Sequence, residues 1–346
     1  MTLLAALSCL FTQTKPGPAE MFDTILSKFQ IRQGRFLAES IGGDSNPDQP
    51  MFNWGIGVTL SAENALTRLD PKRKPRLRAM LEMCEAYWNP AGPVAGFDVV
   101  PGPPFPTDRY YDDNAWMVMA YVESYEILGD RKWLVRAEET LRYVLSGEDD
   151  KLGGGIYWKE REKSSKNTCS NGPAAAACLA VYRHTKRHEL LAKAKELYAW
   201  TKAKLQDPSD GLFWDNLTLD GRMDKTKWSY NTALMLRTAK ELGRLRAGRE
   251  FRLDAERMEK SAVARWVRPD GVIDDELQFA HLLFENLDPR KFDAVKSIQR
   301  LLGSAGTAGT AGLFGKRWGE EPKAKTMMII QASAIRAMAI HELRSR

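Results

Sequence analysis

Two carboxylates stand side by side in the stretch RYYDDNAW, residues 109–116, as Asp112 and Asp113. Two tyrosines precede them. Asn114 and Trp116 follow, and then a run that is almost purely apolar. A carboxylate pair is the apparatus of glycosidic bond hydrolysis: one group gives a proton to the leaving oxygen, and the other attacks or activates water. Neighbours on a helix diverge by about 100°, yet at a helix mouth both can border one cavity. There the positive helix N-terminus favours the anionic form of one group, and mutual repulsion raises the proton affinity of the other. That split is what acid and nucleophile need. A plainer reading competes, since aspartate at a helix start is a common cap. Asp274 and Asp275 form a second pair, whose surroundings are short and poor in aromatics. It reads as a cap or an outlying subsite.

The elements that must position Asp112 and Asp113 are helices. Hydrophobic periodicity along the chain gives almost nothing else, and the helices are of two alternating kinds. One kind is nearly uncharged, with segments starting at Asn53, Asp112, Cys169, Trp228, Asp274 and Thr326. A helix that is apolar nearly all round is buried on every side. The other kind carries an apolar stripe opposite Lys, Arg and Glu, with segments starting at Ala19, Lys74, Arg131, His188, Arg249 and Pro289. The inner starts at 53, 112, 169 and 228 are spaced by 59, 57 and 59 residues, as a repeated helical hairpin requires. Six inner and six outer helices in alternation predict an all-α (α/α)6 toroid, a single domain over 17–346. Residues 1–16 read as a possible signal remnant or a disordered N-terminus. Trp133, Trp200, Trp266, Met327 and Met328 read as core.

Links from inner to outer helices are short, and those from outer to inner are mostly long. The long links must therefore emerge at one end, where loops on a rigid scaffold carry function. They hold GGGIYW (153–158), DGLFWDN (210–216) and GLFGKRW (312–318). The first residues of the inner helices converge at the same end, and they are polar or aromatic. Candidate ligand-binding residues are Asn53, Trp54, Tyr111, Asn114, Trp158, Asn167, Asn171, Trp214, Tyr230 and Asn231. Aromatic faces beside amides and carboxylates suit a sugar.

The segment YYDDNAWMVMAYVESYEILGD resembles the hallmark of glycoside hydrolase family 76, the endo-α-1,6-mannanases. The similarity continues through GGGIYWKE, KNTCSNGPAAAACLAVYRHT and WSYNTALML, in order, over roughly residues 50–245. The resemblance implies an (α/α)6 barrel and a retaining mechanism on α-1,6-linked mannan. It further implies Asp112 as nucleophile, Asp113 as general acid/base, no cofactor, and work outside the cytoplasm, secreted or at the cell envelope.

Composition narrows the field. The 346 residues carry 51 Lys and Arg against 45 Asp and Glu, spread along the chain, so no clustered nucleic-acid footprint stands out. No stretch approaches the roughly 20 apolar residues of a membrane span. The N-terminal run MTLLAALSCLFTQ is short, and its ALSC faintly suggests a lipoprotein cleavage box ending at Cys9. Four cysteines and four histidines lack metal-ligand spacing, so no metal is expected; Cys169 and Cys178 read as buried free thiols. The expected partner is an α-mannan oligosaccharide met by a monomer. Rival toroid enzymes fit less well. Sugar epimerases use inward histidines, and His281 alone lies on an inner helix before the last; uronyl hydrolases need cations at the helix tips, which offer little besides Lys325. Isoprenoid cyclases need a third aspartate that this stretch lacks. A barrel that only binds glycan has no use for a repelling pair.

Overall fold

The computed structural model describes residues 16–105, 108–307 and 310–346. The expected signal remnant, with Cys9, falls outside them except for Pro16. The helices are α1 (Pro18–Phe29), α2 (Asn53–Leu69), α3 (Lys74–Glu85), α4 (Tyr111–Leu128), α5 (Arg131–Leu145) and α6 (Thr168–Thr185). They continue as α7 (His188–Leu205), α8 (Ser229–Arg244), α9 (Arg249–Trp266), α10 (Leu277–Asn286), α11 (Ala294–Gly303) and α12 (Met328–Ser345). The even-numbered helices pack in a closed ring, α2 on α4, then α6, α8, α10, α12 and back to α2. The odd-numbered helices flank them outside. This is the (α/α)6 toroid expected from the alternation.

Inner and outer helices form for different reasons. In α6 every residue from 168 to 181 is buried, which only an uncharged segment tolerates. In α5 the buried Trp133, Leu134, Ala137, Leu141 and Val144 recur at three- and four-residue spacing, and Asp130 caps the helix by accepting from the Lys132 amide. Trp200, Trp266 and Met328 are also buried, whereas Met327 is half-buried. Gly172 lets α6 approach α8, because a Cβ there would lie 3.3 Å from the Leu234 Cβ.

Arg336 of α12 closes the ring from within. Its guanidinium pairs with Glu285 of α10 at 2.8 Å and Glu123 of α4 at 3.0 Å, and donates to the Ser61 carbonyl of α2 at 2.6 Å. One buried cation thus ties four inner helices.

The long links also share a device. The fourth residue of an inner helix holds the main chain of the hairpin that precedes it. Asn114 accepts from the Phe97 amide at 2.7 Å and donates to the Phe97 carbonyl at 2.9 Å. Asn171 does the same for Ile156, and Gln331 for Phe314. In α8 the counterpart is Thr232, whose hydroxyl accepts from the Phe213 amide at 3.2 Å. These side chains satisfy backbone groups that a buried loop would otherwise leave unpaired.

The fifth inner helix starts at Leu277 rather than at Asp274. Residues before it are drawn to other elements at this end: Glu276 bridges Arg317 in the link before α12, and the Asp275 carboxylate accepts from the Ser229 amide at the start of α8 at 2.8 Å.

Candidate active site

The starts of α2, α4, α6, α8 and α10 surround a cavity of about 540 Å³ at the loop-rich end. Asp112 and Asp113 both line it, with Trp54, Tyr110, Trp158, Asn167, Cys169, Asp215, Trp228, Tyr230 and Phe279. The first turn of α4 presents its carboxylates here because Tyr111 turns inward. That ring stacks on Tyr143, with centroids 5.0 Å apart. The Tyr111 amide donates to the Trp158 carbonyl at 3.0 Å, and Arg109 pairs with Glu160 at 2.6 Å, so the helix mouth and the Trp158 loop are pinned together. Gly155, at φ +81°, brings that loop against Trp200; a Cβ there would lie 2.7 Å from the indole.

Asp112 is the better solvated of the two by hydrogen bonds. One of its oxygens accepts from Trp158 Nε1 at 3.0 Å and from the Cys169 thiol at 3.4 Å. The other accepts from the Asp113 amide at 2.9 Å. Burial still pushes the carboxyl up to about 6, against the pull of these donors. Burial first, and then repulsion from Asp112, push Asp113 well above the usual carboxylate range, with only a Trp54 backbone hydrogen bond opposing. The two groups differ as the sequence argument wanted, but desolvation is the leading cause. The helix N-terminus does not hold Asp112 below its ordinary value.

The wall opposite is aromatic. Phe279 stacks on Tyr230 at 4.5 Å and on Trp54 at 5.7 Å, and Trp228 leans on it at 5.2 Å. Asp215 stands among them, held by Asn216 at 2.9 Å and Asn231 at 3.2 Å, and raised by burial. Glu39 lies behind the mouth of α2. Burial pushes it up to about 7, although it accepts from the Phe52 amide at 3.0 Å.

Of the residues expected from sequence, the cavity gathers Asp112, Asp113, Trp54, Trp158, Asn167 and Tyr230. It does not gather the others. Asn114 and Asn171 are committed to the hairpin main chains. Asn53 is fully buried, and Asn231 supports Asp215 from below. Trp214 turns away and donates to Asp207 at 3.2 Å. Asp274 is paired with Arg317 at 2.8 Å, and Asp275 caps α8. Cys169 is a buried free thiol, as is Cys178, but it faces the cavity. Sequence reasoning missed Tyr110, Asp215, Trp228 and Phe279. Two of them, Tyr110 and Asp215, adjoin a residue that was chosen, on the other side of the backbone. His281 is buried, and burial lowers it to about 4. Lys325 lines a different cavity. Among the described residues, no group of three His, Cys, Asp or Glu side chains is placed to hold a metal.

Residues 83–295, more than half of the chain, match the model of Glycosyl hydrolase family 76. The chain belongs to this family. It is a glycoside hydrolase, and its fold is that of solved family 76 enzymes. It is similar to a family 76 α-mannanase from Bacteroides thetaiotaomicron, at 24% identity and TM-score 0.87, with 95% of this chain and 97% of that one covered. It is also similar to the family 76 α-1,6-mannanase from Salegentibacter sp. HEL1_6, at 24% identity and TM-score 0.79, covering 94% and 98%. An inactive variant of that enzyme, with two adjacent aspartates replaced by asparagine, is solved with α-1,6-mannotriose; it matches at 23% identity and TM-score 0.78, again covering 94% and 98%. No curated protein sequence matches the chain. Among the described residues, no helix is long and apolar enough to cross a membrane.

Proposed function

We propose that the chain hydrolyses α-1,6-mannosidic bonds of a mannan with retention, using Asp112 as nucleophile and Asp113 as acid and then base. The observation that carries this is the adjacent pair inside one desolvated, aromatic-lined cavity, with Asp113 binding its proton more tightly than Asp112. The similar Salegentibacter enzyme is an α-1,6-mannanase, and its inactive form lacks two adjacent aspartates.

In the first step an Asp112 oxygen attacks the anomeric carbon while the glycosidic bond breaks. Asp113 gives its proton to the leaving oxygen, so the departing sugar is neutral. In the second step Asp113, now a carboxylate, takes a proton from water. The water oxygen attacks the same carbon and Asp112 is released. Two inversions give net retention. Trp158 and Cys169 hydrogen-bond one Asp112 oxygen, and the Asp113 amide the other, which steadies the ionised nucleophile. Trp54, Tyr230 and Phe279 offer faces on which sugar rings stack, and Asp215 accepts from their hydroxyls. A polymeric substrate places this work outside the cytoplasm or at the envelope.

The test is hydrolysis of an unbranched α-1,6-mannan by wild type, Asp112→Asn and Asp113→Asn, with product anomers read by NMR at early times. Release of α-anomers by wild type alone supports the assignment. Early β-anomers would show inversion, and full activity in Asp112→Asn would remove it as nucleophile.

A further inference from the structure

The opposite end of the barrel, where the inner helices finish, is lined by cations that the reaction does not use. Two adjoining cavities of about 370 Å³ and 170 Å³ share Arg237, Arg244, Glu285 and Asn286. Arg183, Lys240, Arg290 and Arg344 complete their basic lining, against the carboxylates of Glu241, Glu285 and Asp288. Each of these carboxylates already has a cation partner, two of them within the lining itself. Glu241 pairs with Arg244 at 3.1 Å, Glu285 with Arg336 at 2.8 Å, and Asp288 with Arg290 at 2.6 Å. Lys240 is taken by Glu259 at 2.6 Å.

Among the described residues, two guanidiniums of the lining have no carboxylate within ion-pair distance. Arg344 donates only to the Phe284 and Glu285 carbonyls at the end of α10. Arg237 makes no direct hydrogen bond or ion pair among the described residues, although its charge helps Arg336 hold the buried Glu285 carboxyl low. Burial holds both Lys240 and Arg344 below their ordinary values. Arginines at helix C-termini often serve only the helix dipole. That accounts for Arg244 and Arg344, which sit in last turns. It does not account for Arg237, which lies about two turns inside α8 and points its charge at a cavity.

We propose that this end of the barrel holds a binding site for a tetrahedral oxyanion, phosphate or a phosphomonoester, gripped by Arg237 and Arg344 with Arg290 and Arg244 at its rim. A guanidinium presents paired N–H donors that match two oxygens of such an anion, which a lysine does not. The cavity has room for the phosphate with an attached small alcohol. The site is separate from the carboxylate pair, and it stands whatever glycan that pair cleaves.

The experiment is thermal unfolding of the full chain in sodium phosphate against sodium chloride at matched ionic strength. Mannose 6-phosphate and mannose serve as a further pair. At ten times the dissociation constant the folding equilibrium constant rises about eleven-fold. Wild type is expected to gain in melting temperature with phosphate concentration, and Arg237→Gln is expected to lose the gain. Arg237 has no direct hydrogen bond or ion pair to forfeit, and Glu285 keeps Arg336, so the variant should fold; circular dichroism checks this. Arg237→Lys keeps the charge without the fork and should bind more weakly than wild type. A larger gain with mannose 6-phosphate than with phosphate identifies the monoester as the better ligand; an equal gain identifies free phosphate. No gain over chloride in wild type, or an equal gain in Arg237→Gln, overturns the site. If Arg237→Gln is unfolded, phosphorus NMR line broadening on wild type, competed or not by excess sulfate, decides instead. Absence of broadening overturns the proposal.

Discussion

A desolvated carboxylate pair should make the enzyme less stable than it could be, and by a calculable amount. Take the variant carrying both Asp112→Asn and Asp113→Asn. An Asp carboxyl titrates near 3.9 in an unfolded chain; burial raises Asp112 to about 6 in the fold. The folded state therefore holds that proton more tightly than the unfolded state. The associated stability is fully present below about pH 4 and is lost as pH rises through 6. Two units at 1.36 kcal/mol each give about 3 kcal/mol. The carboxyl is partly open to the cavity, so ~1–3 kcal/mol is the fair range. Asp113, raised further, adds in the same sense. With roughly 2.1 cal/mol/K of unfolding entropy per residue, a chain of 346 residues shifts by about 1.4 °C per kcal/mol. The double variant should melt at least roughly 1–4 °C above wild type at pH 7.5, and within a degree of it at pH 4. Melts followed by circular dichroism from pH 4 to 8 test this. A variant less stable than wild type at pH 7.5, or a difference that does not change with pH, would refute the view that burial strains this pair.

The same titrations shape activity. kcat/KM should rise through pH 6 as Asp112 ionises and fall at higher pH as Asp113 loses its proton, giving a bell in a pH–rate profile. Trp158→Phe keeps a ring but removes the N–H on Asp112. It should move the acid limb upward by about 0.5–1 unit, consistent with a charge-assisted hydrogen bond weakened by exposure; an unmoved limb would show that the indole only lines the cavity. Arg336→Met leaves Glu285 without its ion pair and Glu123 with only the half-exposed Arg68, and should cost about 3–5 kcal/mol in urea unfolding. Asn171→Ala leaves the Ile156 amide and carbonyl unpaired and should cost about 2–4 kcal/mol, with loss of activity through the loop that carries Trp158.

The alternation of uncharged and striped helices was enough to give the toroid, because burial on all sides and burial on one side leave different marks on composition. It also showed which end carries the loops, since link length follows from order alone. The Asp112–Asp113 pair and its family motifs were legible for the same reason: they are contiguous. What the sequence could not decide was the direction of each side chain where helix gives way to hairpin. Tyr110 and Tyr111, or Trp214 and Asp215, are neighbours of equal promise, and a change of one residue moves a side chain to the other face. Only the packed structure sends Tyr111 to Tyr143 and Trp214 to Asp207, leaving Tyr110 and Asp215 for the cavity. It likewise spends Asn114, Asn171 and Asp275 on buried backbone groups, a demand that arises only once the loops are folded against the barrel. The proton affinity of the pair is tertiary too. Sequence places two charges together, but the walls that keep water from them come from five different helices.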